Sequence, residues 1–256
     1  AIKVHENTVG TTYQQDTKAI QGIMRDAYQN LKNKYENVEF YKSDLINNYI
    51  YKGPVIENYQ RVKFRMEEYY ARFHKIIPAE ARIYDYGCGM GSLSIMLSYL
   101  SANRTITGVD YDEKKIEIAG NCTYEKGKVN FIHADILTFQ PGEADIFVLS
   151  DVLHYLTHEN QQKLMDRIIH NLKAGGRIII RDGNITQKEK HRMTRFSEFL
   201  STNIGFNKKS QDFNFISDTW LQKMSEKYNL SLELEHSSRI TSNQVYIFTK
   251  PPENEK

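Results

Sequence analysis

Apolar residues follow two different rhythms along this chain. In the first part they recur at helical spacing. Ala19, Ile20, Ile23, Met24, Ala27, Tyr28 and Leu31 predict a helix over about Tyr13–Tyr35. A weaker segment begins at Phe40, and Val62, Met66, Tyr69, Tyr70 and Phe73 predict another helix over Val55–Ile76. Gly53-Pro54 separates these two, and Pro78 stops the second because a proline cannot continue a helix. No strand pattern precedes Pro78, so residues 1–78 read as a helical extension, irregular over the first twelve positions.

From residue 79 the rhythm changes. Short runs of β-formers at Arg82–Tyr86, Arg104–Asp110, Lys128–His133, Ala144–Ser150 and Arg177–Asp182 alternate with helical patterns. These helices are expected after Gly91 (Leu93, Ile95, Met96, Leu97, Leu100), from Asp112, and over Glu159–Leu172. Strands alternating with helices predict an α/β fold with a parallel sheet, and the near-continuous apolar run Ala144–Ser150 suits a central strand. Residues 183–228 are rich in Phe and poor in strand pattern, which predicts a helical cap insertion over the carboxyl edge of the sheet. Ser231–His236 and Val245–Thr249 then read as strands, and the tail from Pro251 is polar. Residues 79–256 are therefore one core, decorated by the extension and the insertion.

Composition narrows the class. A chain of 256 residues can hold one α/β domain of ordinary size, and 26% charged residues with a net charge of +2 give no strong field for nucleic acid or an anionic membrane. No apolar run has the length of a membrane span and no signal-peptide pattern opens the chain, so a cytoplasmic location is expected. Cys88 and Cys122 lack a metal-ligand spacing, and Cys88 inside a glycine loop reads as a small residue chosen for fit. The start at Ala1 is compatible with a processed chain or with an excised domain.

The chemistry centres on Ile83–Ile95. A strand runs into Gly87, Gly89 and Gly91 and then into a helix, an arrangement that offers backbone N–H groups and a positive helix end to a ligand. A dinucleotide fingerprint would need a third glycine where Ser92 stands, and no P-loop lysine follows. The order is instead D-x-G-x-G-x-G, from Asp85 to Gly91. Asp110 ends the second strand, where it could accept ribose hydroxyls or cap the next helix. Asp135 follows the third strand, where a plain turn residue is the competing reading.

Asp85-x-Gly87-x-Gly89-x-Gly91 resembles the first motif of the class I S-adenosylmethionine-dependent methyltransferases. The runs Val152-Leu153-His154-Tyr155-Leu156 and Leu172-Lys173-Ala174-Gly175-Gly176-Arg177-Ile178 resemble the later motifs of its small-molecule members. The resemblance covers roughly residues 80–250. It implies a Rossmann-like, seven-stranded, mostly parallel sheet with helices on both faces and an antiparallel last strand. It also implies S-adenosylmethionine as cofactor, with S-adenosylhomocysteine as product. By the same resemblance, Asp85 supplies charge near the cofactor's ammonium and the three glycines lie along its methionine part. Asp110 takes the ribose, the adjoining Tyr111 belongs to the same cofactor site, Asp135 and Ile136 meet the adenine, and Asp151 approaches the ammonium again. His154 matches the histidine base of plant phenolic O-methyltransferases, with a packed structural histidine as the alternative.

The expected activity is methylation, on oxygen, of a small-molecule or lipid-linked acceptor. The competing class is a cofactor-binding regulatory or scaffolding module without turnover. A nucleic-acid methyltransferase is disfavoured because no [DN]-P-P-[YF] run follows Leu149. His154 and His158 stand four apart, but Tyr155 replaces the glutamate of a zinc-protease motif, and no metal is expected. His191, Arg192 and Arg195 could meet an anionic acceptor or form a solvated face. Tyr13, Tyr28 and Tyr59 could line the pocket or pack in the core. More loosely, the chain resembles the C-terminal methyltransferase domain of long bacterial chains that carry exporter-like and lysophospholipid-acyltransferase modules. That likeness implies a lipid or acyl-linked acceptor and a soluble domain of a larger membrane-associated chain.

Overall fold

The computed structural model describes residues 41–66, 69–122, 127–184, 214–237 and 243–253. The helix expected over Tyr13–Tyr35, and the candidate residues Tyr13, Tyr28, His191, Arg192 and Arg195, lie outside them. The chain enters through α1 (Tyr41–Asn47) and a short 3₁₀ turn (Ile50–Lys52). The run expected as one helix is helical over Pro54–Met66 (α2) and over Tyr69–Ile76 (α3), with residues 67–68 outside the described ones. Pro54 opens α2 at its first position, where a missing N–H is harmless and the fixed φ already suits the helix.

Seven strands form one sheet: β1 (Glu80–Tyr86), β2 (Asn103–Asp110), β3 (Val129–His133), β4 (Ala144–Ser150), β5 (Leu172–Gly183), β6 (Ser231–Ser237) and β7 (Asn243–Thr249). Between them lie α4 (Ser92–Tyr99), α5 (Glu113–Gly120), α6 (His158–His170) and α7 (Asp218–Tyr228). The spatial order is β3-β2-β1-β4-β5-β7-β6. Strands β1 to β5 pair in parallel, and β7 runs antiparallel to both β5 and β6. The chain moves one way from β1 to β3 and the other way from β4, so the loops leaving β1 and β4 diverge. A crevice at such a reversal is where open α/β sheets bind ligands.

Alternation along the strands sends side chains to two cores. Ile83, Ile106, Val148 and Ile179 meet Leu45, Tyr49, Phe64 and Phe73 of the helical extension and Ile95 and Met96 of α4. On the other face, Tyr86, Phe147, Leu149, Ile178 and Ile180 meet Leu164 and Ile168 of α6 and Leu221 of α7. The extension thus packs into the first core through its apolar stripe. One buried cation fastens it. The Arg104 guanidinium, on β2, donates to the carbonyls of His74, Ile77, Pro78 and Leu97 and contacts His74 Nδ1, at 2.6–3.2 Å. The guanidinium thus joins carbonyls at and just beyond the end of α3 to one in the last turn of α4, and burial lowers the Arg104 pKa to about 10.

Strand β5 starts earlier than its sequence suggests. Lys173-Ala174-Gly175-Gly176 reads as a break, yet Leu172 already pairs with Ala144, and the register shifts before Arg177 meets Ile146. Positive φ at Gly175 absorbs that irregularity. Among the described residues no helix is long and apolar enough to cross a membrane.

Candidate active site

The crevice begins with the glycine loop. Gly87 and Cys88 donate their N–H groups to Val109 O (2.8 and 3.2 Å), tying the loop to β2, and Gly91 N–H closes on Cys88 O at 3.0 Å. Gly87, Gly89 and Gly91 all have positive φ. Their surroundings differ. A Cβ at Gly87 would lie 2.3 Å from Val152 Cγ2 and one at Gly91 2.5 Å from Phe131 Cζ, whereas one at Gly89 would meet nothing within 4 Å. The outer two glycines are required by the protein's own packing. The middle one faces open space, a cradle fit for a ligand that must approach the backbone.

Asp110, 5% exposed, stands beside that cradle. Its Oδ2 accepts from Gly89 N–H at 2.8 Å and its Oδ1 from Asp112 N–H at 2.9 Å. Helix capping falls to Asp112, whose side chain accepts from the N–H groups of Lys114 and Lys115. Asp110 is thereby released from that competing role, and each carboxylate oxygen keeps acceptor capacity for a diol. Tyr111 is exposed, and its carbonyl lies 3.0 Å from His133 Nε2. Asp135 is exposed and shapes the turn after β3: its Oδ1 accepts from Leu137 N–H at 2.8 Å and its carbonyl from Thr138 and Phe139. Ile136 is buried, and Arg167 clamps the carbonyls of Ile136, Leu137 and Phe139. The loop edges after β1, β2 and β3 are therefore brought together and rigidly held.

Asp85 is buried between β1 and α4, where it accepts from Ser94 Oγ at 2.6 Å. Burial pushes its carboxyl up to about 6; the Ser94 hydrogen bond and Lys63 pull the other way, and Asp110 adds to the rise. The folded chain therefore binds this proton more tightly than the unfolded chain does. That stability is fully present below about pH 4 and is lost as pH rises through about 6, a loss of about 3 kcal/mol. Asp85→Asn is accordingly expected to raise the unfolding midpoint at neutral pH, with the difference closing below about pH 4. A thermal unfolding series across pH reads this directly, and an unchanged midpoint at neutral pH would contradict it. Cys88, buried beside the same carboxylates, has its thiol pushed well up by burial and is held as a packed neutral group.

The ends of β4 and β5 carry two further pairs, one on each face of the sheet. Asp151 has φ 57 and forms an ion pair with Arg181 Nη1, and Asn243 Nδ2 lies 3.4 Å from its Oδ1. The Arg181 guanidinium sits 4.5 Å above the Tyr69 ring of the extension. On the opposite face, His154 occupies a short 3₁₀ turn (Leu153–Tyr155), with its Nδ1 2.6 Å from Asp182 Oδ1. Asp182 also accepts from the N–H groups of His154 (3.3 Å) and Gly183 (2.7 Å). A carboxylate can only accept, so Nδ1 carries the hydrogen, and in the neutral form of the ring the lone pair is on Nε2. The ring lies against Tyr155 and Phe215.

Gln161, fully buried, holds this turn in place. Its amide nitrogen donates to Leu153 O (2.9 Å), Leu156 O (3.4 Å) and Asn214 O (2.6 Å). Its Oε1 faces His158 Nδ1 at 3.1 Å, so His158 and His154 turn to different partners. Tyr59 is half-buried against the first core. Asp182, Arg181 and Gln161 are not singled out by the sequence. For Asp182 a signal existed: like the three earlier acids, it stands at the carboxyl end of a parallel strand.

This strand order, with a glycine loop after β1 and acids at the carboxyl ends of β1, β2 and β3, defines the class I S-adenosylmethionine-dependent methyltransferase fold. A family model described as a methyltransferase domain matches residues 77–232, and the chain belongs to that family. Its cofactor is S-adenosylmethionine. Among curated proteins the chain is similar to the carboxy-S-adenosyl-L-methionine synthase of Campylobacter lari, 26% identical over 165 residues, covering 59% of this chain and 70% of that one. The same enzyme of Campylobacter jejuni subsp. doylei is 29% identical over 107 residues, covering 41% and 46%. The match thus spans less than half the length of the latter. Among solved structures, the magnesium protoporphyrin IX methyltransferase of Synechocystis, with bound S-adenosylhomocysteine, shares the fold. Its TM-score is 0.57 at 16% identity, over 87% of this chain and 99% of that one.

Proposed function

We propose that the crevice at the carboxyl ends of β1, β2 and β3 holds S-adenosylmethionine, and that its methyl group passes to an oxygen of a small-molecule or lipid-linked acceptor. The cofactor supplies an electrophilic methyl on a sulfonium. Gly87, Gly89 and Gly91 let the backbone lie against its methionine part, with Asp85 and Asp151 giving negative charge toward the ammonium. Asp110, beside Tyr111, accepts from the ribose hydroxyls. Asp135 and Ile136 form the adenine edge. The open cradle at Gly89, next to the Asp110 carboxylate, supports this placement.

The observation that carries the oxygen acceptor is the His154–Asp182 pair. Asp182 fixes the tautomer that leaves Nε2 able to accept a proton, and a hydroxyl must lose its proton as it gains the methyl group. Asp182 also stabilises the imidazolium so formed. Holding acceptor and methyl in near-attack geometry supplies the rest of the rate. The nearly balanced charge supports a small acceptor over nucleic acid.

The test is incubation of the purified chain with methyl-labelled S-adenosylmethionine and fractionated lipid and phenolic extracts. Label on an acceptor oxygen is expected. Label on nitrogen would keep the transfer and remove the oxygen assignment. Tight cofactor binding with no labelled acceptor would leave a cofactor-binding module. Appearance of a carboxylated cofactor would give the chain the activity named for the Campylobacter relatives.

A further inference from the structure

The helical extension does more than cover the first core, because two of its buried polar side chains end on the glycine loop. Tyr49, fully buried, donates its hydroxyl to Met90 O at 2.9 Å and lies 3.1 Å from Ser92 Oγ. Ser92 Oγ donates to Gln60 Oε1 at 3.1 Å, and Gln60 Nε2 lies 3.8 Å from Met90 Sδ. Gln60 and Ser92 are 1% and 2% exposed. These four residues bracket Gly91, the last of three alternating positive-φ glycines, a residue type whose backbone has more conformations to lose than any other.

Resting on the reading that this loop holds S-adenosylmethionine, we infer that Tyr49 and Gln60 are positioning residues for the cofactor. They hold the loop in its ligand-ready shape through Met90 and Ser92. Docking of the extension does not require them to be polar. Leu45, Phe64 and Phe73 bury its apolar face, and a phenylalanine ring would fill the Tyr49 site equally well. The hydroxyl is therefore in excess of what packing needs, and burial keeps it protonated as a donor. The loop backbone gains an anchor that its own glycines cannot provide. A pre-formed loop binds more tightly because less ordering remains to be done on binding. The extension also reaches the far wall of the crevice, where Tyr69 supports Arg181 and Arg181 holds Asp151.

The test compares the full chain with Tyr49→Phe, Gln60→Leu, Ser92→Ala and the packing control Phe64→Leu. Titration calorimetry with S-adenosylhomocysteine and thermal unfolding are both read. Tyr49→Phe and Ser92→Ala are each expected to raise Kd about three- to tenfold, the worth of one buried hydrogen bond, with little change in Tm. The double variant is expected to lose no more than the larger single loss, because both changes cut one network. Phe64→Leu is expected to lower Tm and leave Kd within about twofold. Unchanged Kd in Tyr49→Phe and Ser92→Ala overturns the inference, as does an equal loss of affinity in Phe64→Leu. Failure of the unsubstituted chain to bind is a separate result, which overturns the cofactor site itself.

Discussion

Methyl transfer by the His154→Asn chain is expected to fall by about 100- to 10,000-fold, with cofactor affinity within about twofold of the starting value. The asparagine amide nitrogen stands where Nδ1 does and keeps a donor for the buried Asp182 carboxylate, so the fold is spared the cost of an unpaired buried charge. It cannot take a proton. Asp182→Asn is expected to lower turnover as well, for a different reason. An asparagine amide can donate to Nδ1, which moves the ring hydrogen to Nε2, where it blocks proton acceptance. Cofactor affinity separates the two roles of the pair. If both variants bind and turn over like the unsubstituted chain, His154 is a packed histidine and the base lies elsewhere. If binding and folding fail together, the pair is structural. Turnover measured on an acceptor whose labelled atom is an oxygen, beside cofactor titration, decides the matter.

The second large effect separates two glycines that look alike in sequence. Gly91→Ala places a methyl group 2.5 Å from Phe131 Cζ and 2.9 Å from Ala119 Cβ, on a backbone with φ +80. Overpacking and the strained φ together are expected to cost about 3 kcal/mol or more, read as a lower Tm or as loss of soluble protein. Gly89→Ala carries a φ penalty of about 1–2 kcal/mol but no clash. It should fold, and its Kd for S-adenosylmethionine should rise about tenfold or more, because the methyl enters the cradle. A Gly89→Ala chain that binds cofactor normally would show that the cradle is not where the ligand lies.

Much of the fold was readable because parallel strands buried on both faces announce themselves. The Ala144–Ser150 run has no polar alternation to confuse it, and its observed bounds coincide with the pattern. The start of β5 was not readable. Gly175-Gly176 carries a turn signature, and only the pairing of Leu172 with Ala144 keeps the segment in the sheet. The glycine loop and the acids at the ends of β1 to β3 were visible because strand, turn and acid are neighbours along the chain. The division of labour between Asp110 and Asp112 was not, since either suits a helix N-terminus until hydrogen bonds are seen. Asp182, Gln161, Tyr49 and Gln60 share one property. Their partners are set by packing between distant segments, and spacing along the chain carries no trace of that.

Neighbouring positions Arg181 and Asp182 have a consequence for assembly of the sheet. Alternation along β5 sends the cation to one face, where Asp151 waits, and the anion to the other, where His154 waits. A strand displaced by one residue against its neighbours exchanges the two faces. Arg181 would then be driven toward the buried imidazole and Asp182 toward a second carboxylate. The isoleucine run before them offers no such discrimination, since Ile178, Ile179 and Ile180 are interchangeable under that displacement. The two adjacent charges thus act as a lock that accepts one alignment of β5, and the two pairs at the carboxyl edge form only when that alignment is correct.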